Sequence, residues 1–233
     1  MTTKVVEAEQ NSVDTLPAIS LATYHKLLHG ISALILLGFV PSYVWQFSAL
    51  TAFHHYHAMA SLLWLILLNL QPLLIARGKA AHHRRLGWFA LVAAALMSLS
   101  TTILFVSTYT HRVGSSEIFS LVYTLDLFLF PAFMIFIALA MHYRRQPLIH
   151  ANYIVLSAIM LLPPGLGRLI YGVVFMPLGA SQRLFFEPMV MATLAILVYL
   201  GYREQWRYGQ TRWTALGLML SVSLAYVVTY GSH

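Results

Sequence analysis

The sequence predicts an all-α integral membrane protein with seven transmembrane helices, and three observations carry that expectation. Of 233 residues, 59% are hydrophobic and only 9% charged, against about 45–50% and about 25% in a soluble domain. Mean hydropathy is +0.73. The few charges fall in short clusters between apolar runs of bilayer length. A span takes about 20 residues and must be helical or a closed barrel, because unpaired backbone groups cannot be left in lipid.

Residues 1–24 are polar and mixed in charge. They lack the short apolar core and small-residue cleavage site of a signal peptide, so an uncleaved cytoplasmic tail is expected. Residues 25–233 then form a single polytopic domain. Its first span, 28–48, follows the polar pair His25 and Lys26, and the second, 54–76, stops at Arg77. The third, 87–108, begins after His-His-Arg-Arg and ends before His111 and Arg112. The fourth, 117–141, opens on Glu117, and the fifth, 151–176, follows His150. The sixth, 187–202, opens on Glu187 and is the shortest. A six-span alternative therefore has this segment lying partly in the interface. The seventh, 213–230, is set apart by the polar stretch GYREQWRYGQTR. Helices two to five are expected to form a compact four-helix core.

Basic residues set the orientation. Arg77, Lys79, Arg84 and Arg85 fall between spans two and three, Arg144 and Arg145 between four and five, and Arg203, Arg207 and Arg212 between six and seven. The alternate segments hold only Arg112 and Arg183. By the positive-inside rule the N-terminus is inside and, with seven spans, the C-terminus outside. The formal charge of +7 thus belongs to membrane topology, and the bilayer rather than nucleic acid is the expected partner. Trp45, Trp88, Trp206 and Trp213 lie near span ends, as interfacial anchors do; Trp64 does not. With no cysteine in the chain, disulfides, thiol catalysis, iron–sulfur clusters and thiolate-held haem or zinc are excluded.

Eleven histidines remain as ligand candidates. His25, His29, His82, His83, His142 and His150 fall near the inner face, and His54, His55, His57 and His111 near the outer one. At headgroup level histidine is commonplace. His83 and His150 are set apart because each opens an outward-running helix after a basic loop, in LLIARGKAAHHRRLGW and MHYRRQPLIHANYIVL, which suggests a duplicated hairpin. Two such imidazoles facing across a bundle are what a six-coordinate b-type haem needs. Arg84, Arg85, Arg144 and Arg145 stand beside them to pair with propionates. Two loop histidines next to topology-setting arginines is the plainer alternative.

The stretch His57 to Trp88, HAMASLLWLILLNLQPLLIARGKAAHHRRLGW, resembles helices two and three of the cytochrome b561 superfamily. That resemblance implies haem b and intramembrane electron transfer with a quinone or small reductant, and maps ligands onto His57 and His83. His150 is then the match for a later ligand and pairs with His83. The fourth span holds no histidine, so His57 lacks its partner. The segment His-Arg-Arg-Leu-Gly at 83–87 and the pattern His150…PPGLGR are also similar to DUF2306-like bacterial membrane proteins. This likeness covers about residues 54–170, and it implies a multi-pass protein of a bacterial inner (cell) membrane.

A second constellation lies in the outer half. Asp126 is about 13 Å along the fourth span from its outer end and Arg168 about 12 Å along the fifth, at 1.5 Å per residue. Charges at matched depth on successive helices are expected to pair and face inward. Pro163, Pro164, Gly165 and Gly167 before the arginine should break the helix and free carbonyls to line a polar cavity. Such a cavity suits a quinone, a lipid headgroup or a proton path. His54 and His57, one helical turn apart, offer with His111 and Asp126 or Glu187 an alternative site for zinc or iron. That would make the protein a metal-dependent hydrolase or oxidase acting on lipid substrates of the outer leaflet. A cofactor-free transporter or assembly factor is a third class. A phosphate-binding glycine loop, a G-x-S-x-G elbow and a deep lysine for retinal are all missing. The HHYHA run is similar to desaturase histidine boxes, but those need several clusters on one side.

Overall fold

The computed structural model of the chain describes residues 20–112, 116–204, 206, 207 and 209–231, with the backbone alone for 109–112. Among the described residues eight α-helices build seven spans. Helix α1 is Leu21–Phe39, continued by a π-helical turn at Val40–Val44; α2 is Ala52–Ala76, α3 Ala80–Arg112 and α4 Glu117–His142. The fifth span joins α5, Pro147–Met160, to α6, Leu162–Ile170, and a second π turn at Tyr171–Phe175. The sixth is a 3₁₀ turn at Gln182–Phe185 followed by α7, Phe186–Arg203; α8, Gly209–Tyr230, is the seventh. Each is long and apolar enough to cross a bilayer, and no strand occurs among the described residues. The protein is a multi-pass helical membrane protein. With seven spans, the two ends of the described chain lie on opposite faces. The face carrying the turns at 77–79 and 143–146, together with Glu204 and Trp206, is called the basic face.

Two edges differ from the sequence reading. The first helix starts at Leu21 rather than 28, because Ser20 caps it: its hydroxyl oxygen accepts the Thr23 N–H at 3.3 Å. Tyr24, His25, Lys26 and His29 therefore belong to the span. The sixth span runs Gln182–Arg203, 22 residues, enough to cross the bilayer, which favours seven spans over six.

The expected break at Pro163–Gly167 is corrected to a single residue. Helix α5 ends at Met160, Leu161 turns, and α6 resumes with Pro163 in its first turn. Proline is tolerated there because first-turn N–H groups have no intrahelical partner. Gly165 and Gly167 are helical, so no unwound stretch of carbonyls is freed.

The buried core is one cluster drawn from all seven spans, and the heaviest packing between non-consecutive spans joins α1 to the fifth span and α8 to α4 rather than closing spans two to five on themselves. Helices α2 and α3 pack as one antiparallel hairpin and α4 and α5 as another. Trp64 of α2 and Phe133 of α4 join the hairpins edge to face, ring centres 5.3 Å apart and both buried. Trp64 is a core residue for that reason, while Trp45, Trp88 and Trp213 are exposed near span ends. The fifth span is the most enclosed, with 67% of its apolar window buried against 39% for the next. It is covered by α4 on one side and α1 on another. Gly38 of α1 crosses Gly165 of α6 with backbones in contact, since a Cβ on Gly165 would lie 3.0 Å from Ile35 Cα. Helix α8 closes the bundle against α4 and α7.

Candidate functional site

His83 and His150 come together. Each is the fourth residue of its helix, and each N–H bonds the carbonyl just before it begins: His83 to Lys79 at 3.0 Å, His150 to Gln146 at 2.9 Å. The two hairpins are thus built alike at this point. Their rings face across the bundle with centres 6.4 Å apart and planes at 87°. His150 Nδ1 lies 2.7 Å from the Ala140 carbonyl oxygen, which can only accept, so Nδ1 carries the proton and Nε2 keeps its lone pair. Gln71 of α2 holds the other ring. With its amide nitrogen donating to His83 Nδ1 at 2.5 Å and to the His83 carbonyl at 3.0 Å, its oxygen takes the Gly87 N–H at 3.1 Å. An accepting Nδ1 puts the His83 proton on Nε2, and turning the amide over would forfeit its bonds to the His83 carbonyl and the Gly87 N–H. Gly87 lies one turn deeper than His83 on the same face, and a Cβ there would meet nothing within 4 Å. Arg84 and Arg145 are exposed at the rim.

Metal–nitrogen distances of about 2.0 Å place two imidazoles bound to opposite sides of one ion with ring centres roughly 6.3 Å apart. The observed 6.4 Å and the free Nε2 of His150 fit such a pair, and Gly87 leaves room beside it.

His57 sits elsewhere, in the opposite half. Its Nδ1 is 2.9 Å from the Ser100 hydroxyl of α3. Arg168 lies within electrostatic reach of both His57 and Asp126. Its Nη1 donates to the Pro164 carbonyl at 2.6 Å, and its guanidinium covers the Phe39 ring at 5.1 Å. Asp126 and Arg168 thus share a region, but no N–O contact within 4 Å joins them, and Arg168 is exposed on the bundle surface rather than turned inward. The helical run through PPGLGR sets that direction. A double-mutant cycle measures the coupling. Asp126→Asn and Arg168→Leu should each lower thermal stability in detergent, and the double variant should lose less than their sum, by about 0.5–3 kcal/mol. Strict additivity would mean that the charges do not sense each other.

The alternative metal ligands do not gather. His54 Nδ1 is 2.7 Å from the Thr51 hydroxyl. Glu187 pairs with Arg183 at 2.5 Å and accepts from Tyr226, on the side where Tyr230 reaches Glu117 at 3.0 Å. The side chain of His111 lies outside the described residues. Among the described residues no group of three or more histidines and carboxylates could hold a metal ion.

Sequence reasoning missed a buried carboxylate. Glu204, 1% exposed, closes α7 at the basic face. Its oxygens accept from Tyr24 of α1 at 2.9 Å, from Thr211 of α8 at 2.6 Å and from Asn152 of α5. The polar stretch around it read as a solvated loop. Asn152, two residues beyond His150 in an apolar run, was the one visible signal. Burial pushes the Glu204 carboxyl above its usual range, against the three hydrogen bonds that favour the carboxylate. Gln71, and Asn69 with its partner His29 at 2.5 Å, were likewise visible as polar residues inside an apolar span.

No protein-family model, curated protein or solved structure matches the chain.

Proposed function

We propose that the protein is an intramembrane electron carrier holding one b-type haem between His83 and His150 at the basic face. The observation that carries this reading is the facing imidazole pair, 6.4 Å between ring centres, on equivalent positions of two hairpins. Haem so held supplies one-electron transfer in a low-dielectric site. The chain's own contribution is orientation. The Ala140 carbonyl fixes the His150 tautomer, and such a partner also raises ligand basicity. Gln71 holds the His83 ring through Nδ1, and ligation through His83 Nε2 would require that nitrogen to give up its proton. Arg84 and Arg145 offer cations to propionates at the headgroup level.

The basic face is cytoplasmic under the positive-inside rule, and a bacterial cell membrane suits the motif resemblance. In this reading the region of His57, Asp126, Arg168 and Ser100 is where a quinone or small reductant docks, since ionisable groups at membrane depth mark ligand or proton sites. His57 is left without a second axial histidine. The zinc or iron hydrolase reading has no gathered ligand set among the described residues.

Protein purified from haem-replete cells should show a Soret band and a reduced-minus-oxidised α band. His83→Ala and His150→Ala should each lose the six-coordinate spectrum while keeping the helical circular dichroism. His57→Ala should keep the spectrum. A colourless wild-type protein, or ligand variants with full haem, would overturn the proposal.

A further inference from the structure

A groove of about 480 Å³ runs between the first and sixth spans, away from the histidine pair. Its deep part is apolar, lined by Leu27, Ile31, Leu34 and Ile196. Gly30 keeps it open, because a Cβ there would meet nothing within 4 Å. Its mouth lies at the basic face and carries two cations, Lys26 and Arg203. Both are exposed. Lys26 has no hydrogen-bond or ion-pair partner among the described residues. Among the described residues Arg203 makes one long contact, from Nη1 to the Tyr199 hydroxyl at 3.4 Å, and its other donors have no partner there. The adjacent carboxylate, Glu204, is buried and taken up by Tyr24, Asn152 and Thr211. It therefore does not neutralise the arginine beside it, and among the described residues no acidic side chain lines the groove.

Two cations over an apolar channel at headgroup level match one occupant, an amphiphile with an anionic phosphate head and an acyl tail. We infer that this groove binds an anionic phospholipid, with Lys26 and Arg203 on the phosphodiester and one acyl chain along Leu27, Ile31 and Leu34. The volume lies within the about 300–1,000 Å³ of ordinary ligand pockets. A lipid seated there bridges spans one and six, which the protein otherwise joins at this end mainly through Glu204. The site is independent of the haem proposal, since neither His83 nor His150 contributes to it.

Native mass spectrometry of the purified full chain with added phosphatidylglycerol or phosphatidylcholine tests the inference. Each basic side chain near an anionic headgroup contributes about fivefold in affinity. Phosphatidylglycerol should therefore bind at least about tenfold more tightly than phosphatidylcholine. Lys26→Ala with Arg203→Ala should reduce that preference to within about twofold. Gly30→Leu, which fills the groove and leaves both cations in place, should weaken phosphatidylglycerol binding by about tenfold. Equal binding of the two lipids by the wild type would overturn the inference, as would an unchanged preference in the double variant or undiminished binding by Gly30→Leu. So would displacement of the bound lipid by millimolar inorganic phosphate, because the acyl chain would then contribute nothing. A thermal-shift control on each variant without lipid confirms that it is folded.

Discussion

Gly38→Ala should largely abolish recovery of folded protein. A Cβ built on Gly38 overlaps the carbonyl oxygen of Gly165. Because that neighbour is backbone on the most enclosed span, no rotamer change relieves the overlap. The helices must separate, and the buried residues of α1 that face the fifth span, Leu28, Ile31 and Ile35, lose contact with it. Overpacking inside a close-packed interface costs about 1–3 kcal/mol when side chains can adjust, so a backbone collision should reach about 3 kcal/mol or more. Gly165→Ala should be milder, because its Cβ would stand 3.0 Å from Ile35 Cα and 3.2 Å from Ile35 O. Gly217→Ala provides the control, since a Cβ there meets nothing within 4 Å and helix propensity gains about 0.5–1 kcal/mol. Thermal unfolding in detergent should rank the variants Gly217→Ala, Gly165→Ala, Gly38→Ala from most to least stable. A Gly38→Ala protein with wild-type stability would mean that spans one and five do not cross at this point.

The second large effect belongs to Glu204. Glu204→Ala removes the buried acceptor shared by Tyr24, Asn152 and Thr211, leaving the Asn152 amide only its long contacts to the Tyr24 and Thr211 hydroxyls at 3.4 and 3.3 Å. At about 1–3 kcal/mol for each unsatisfied buried group, the loss should be about 3 kcal/mol or more. Four spans meet at this carboxylate, so the damage should appear as global unfolding rather than local fraying. Glu204→Gln should be far gentler, because an amide oxygen still accepts from Tyr24 and Asn152 and its nitrogen can donate to the Thr211 hydroxyl. It should also remove a pH dependence. With the folded-state pKa raised, stability from this group is fully present below the unfolded value of about 4.3. It is lost as pH rises through the folded value. Wild-type melting temperature should therefore decline with rising pH across that window, and the Gln variant should lack the decline. Parallel profiles would show that folding leaves the pKa of this carboxyl where the unfolded chain has it.

These two effects also mark the boundary of what the sequence discloses. Composition and run length determine seven helical spans, because a bilayer admits few other ways of pairing backbone groups. Alternating basic turns mark out one face of the bundle. The likeness of the two hairpins, with a histidine opening a helix after each basic turn, is also present in one dimension. Its meaning is tertiary: only the packed bundle sets His83 and His150 face to face and supplies Ala140 and Gln71 to hold them. The same bundle separates His54 from Glu187, and it turns Arg168 outward toward Phe39 and Pro164, away from direct contact with Asp126. Gly38 reads as one small residue in an apolar run until Gly165 is brought against it. Glu204 reads as loop until Tyr24, Asn152 and Thr211 enclose it. Lipid forces the periodicity and length of each helix locally, so these are written in the sequence. Which faces meet depends on shape and polar satisfaction summed over distant segments, and those sums exist only once the chain is folded.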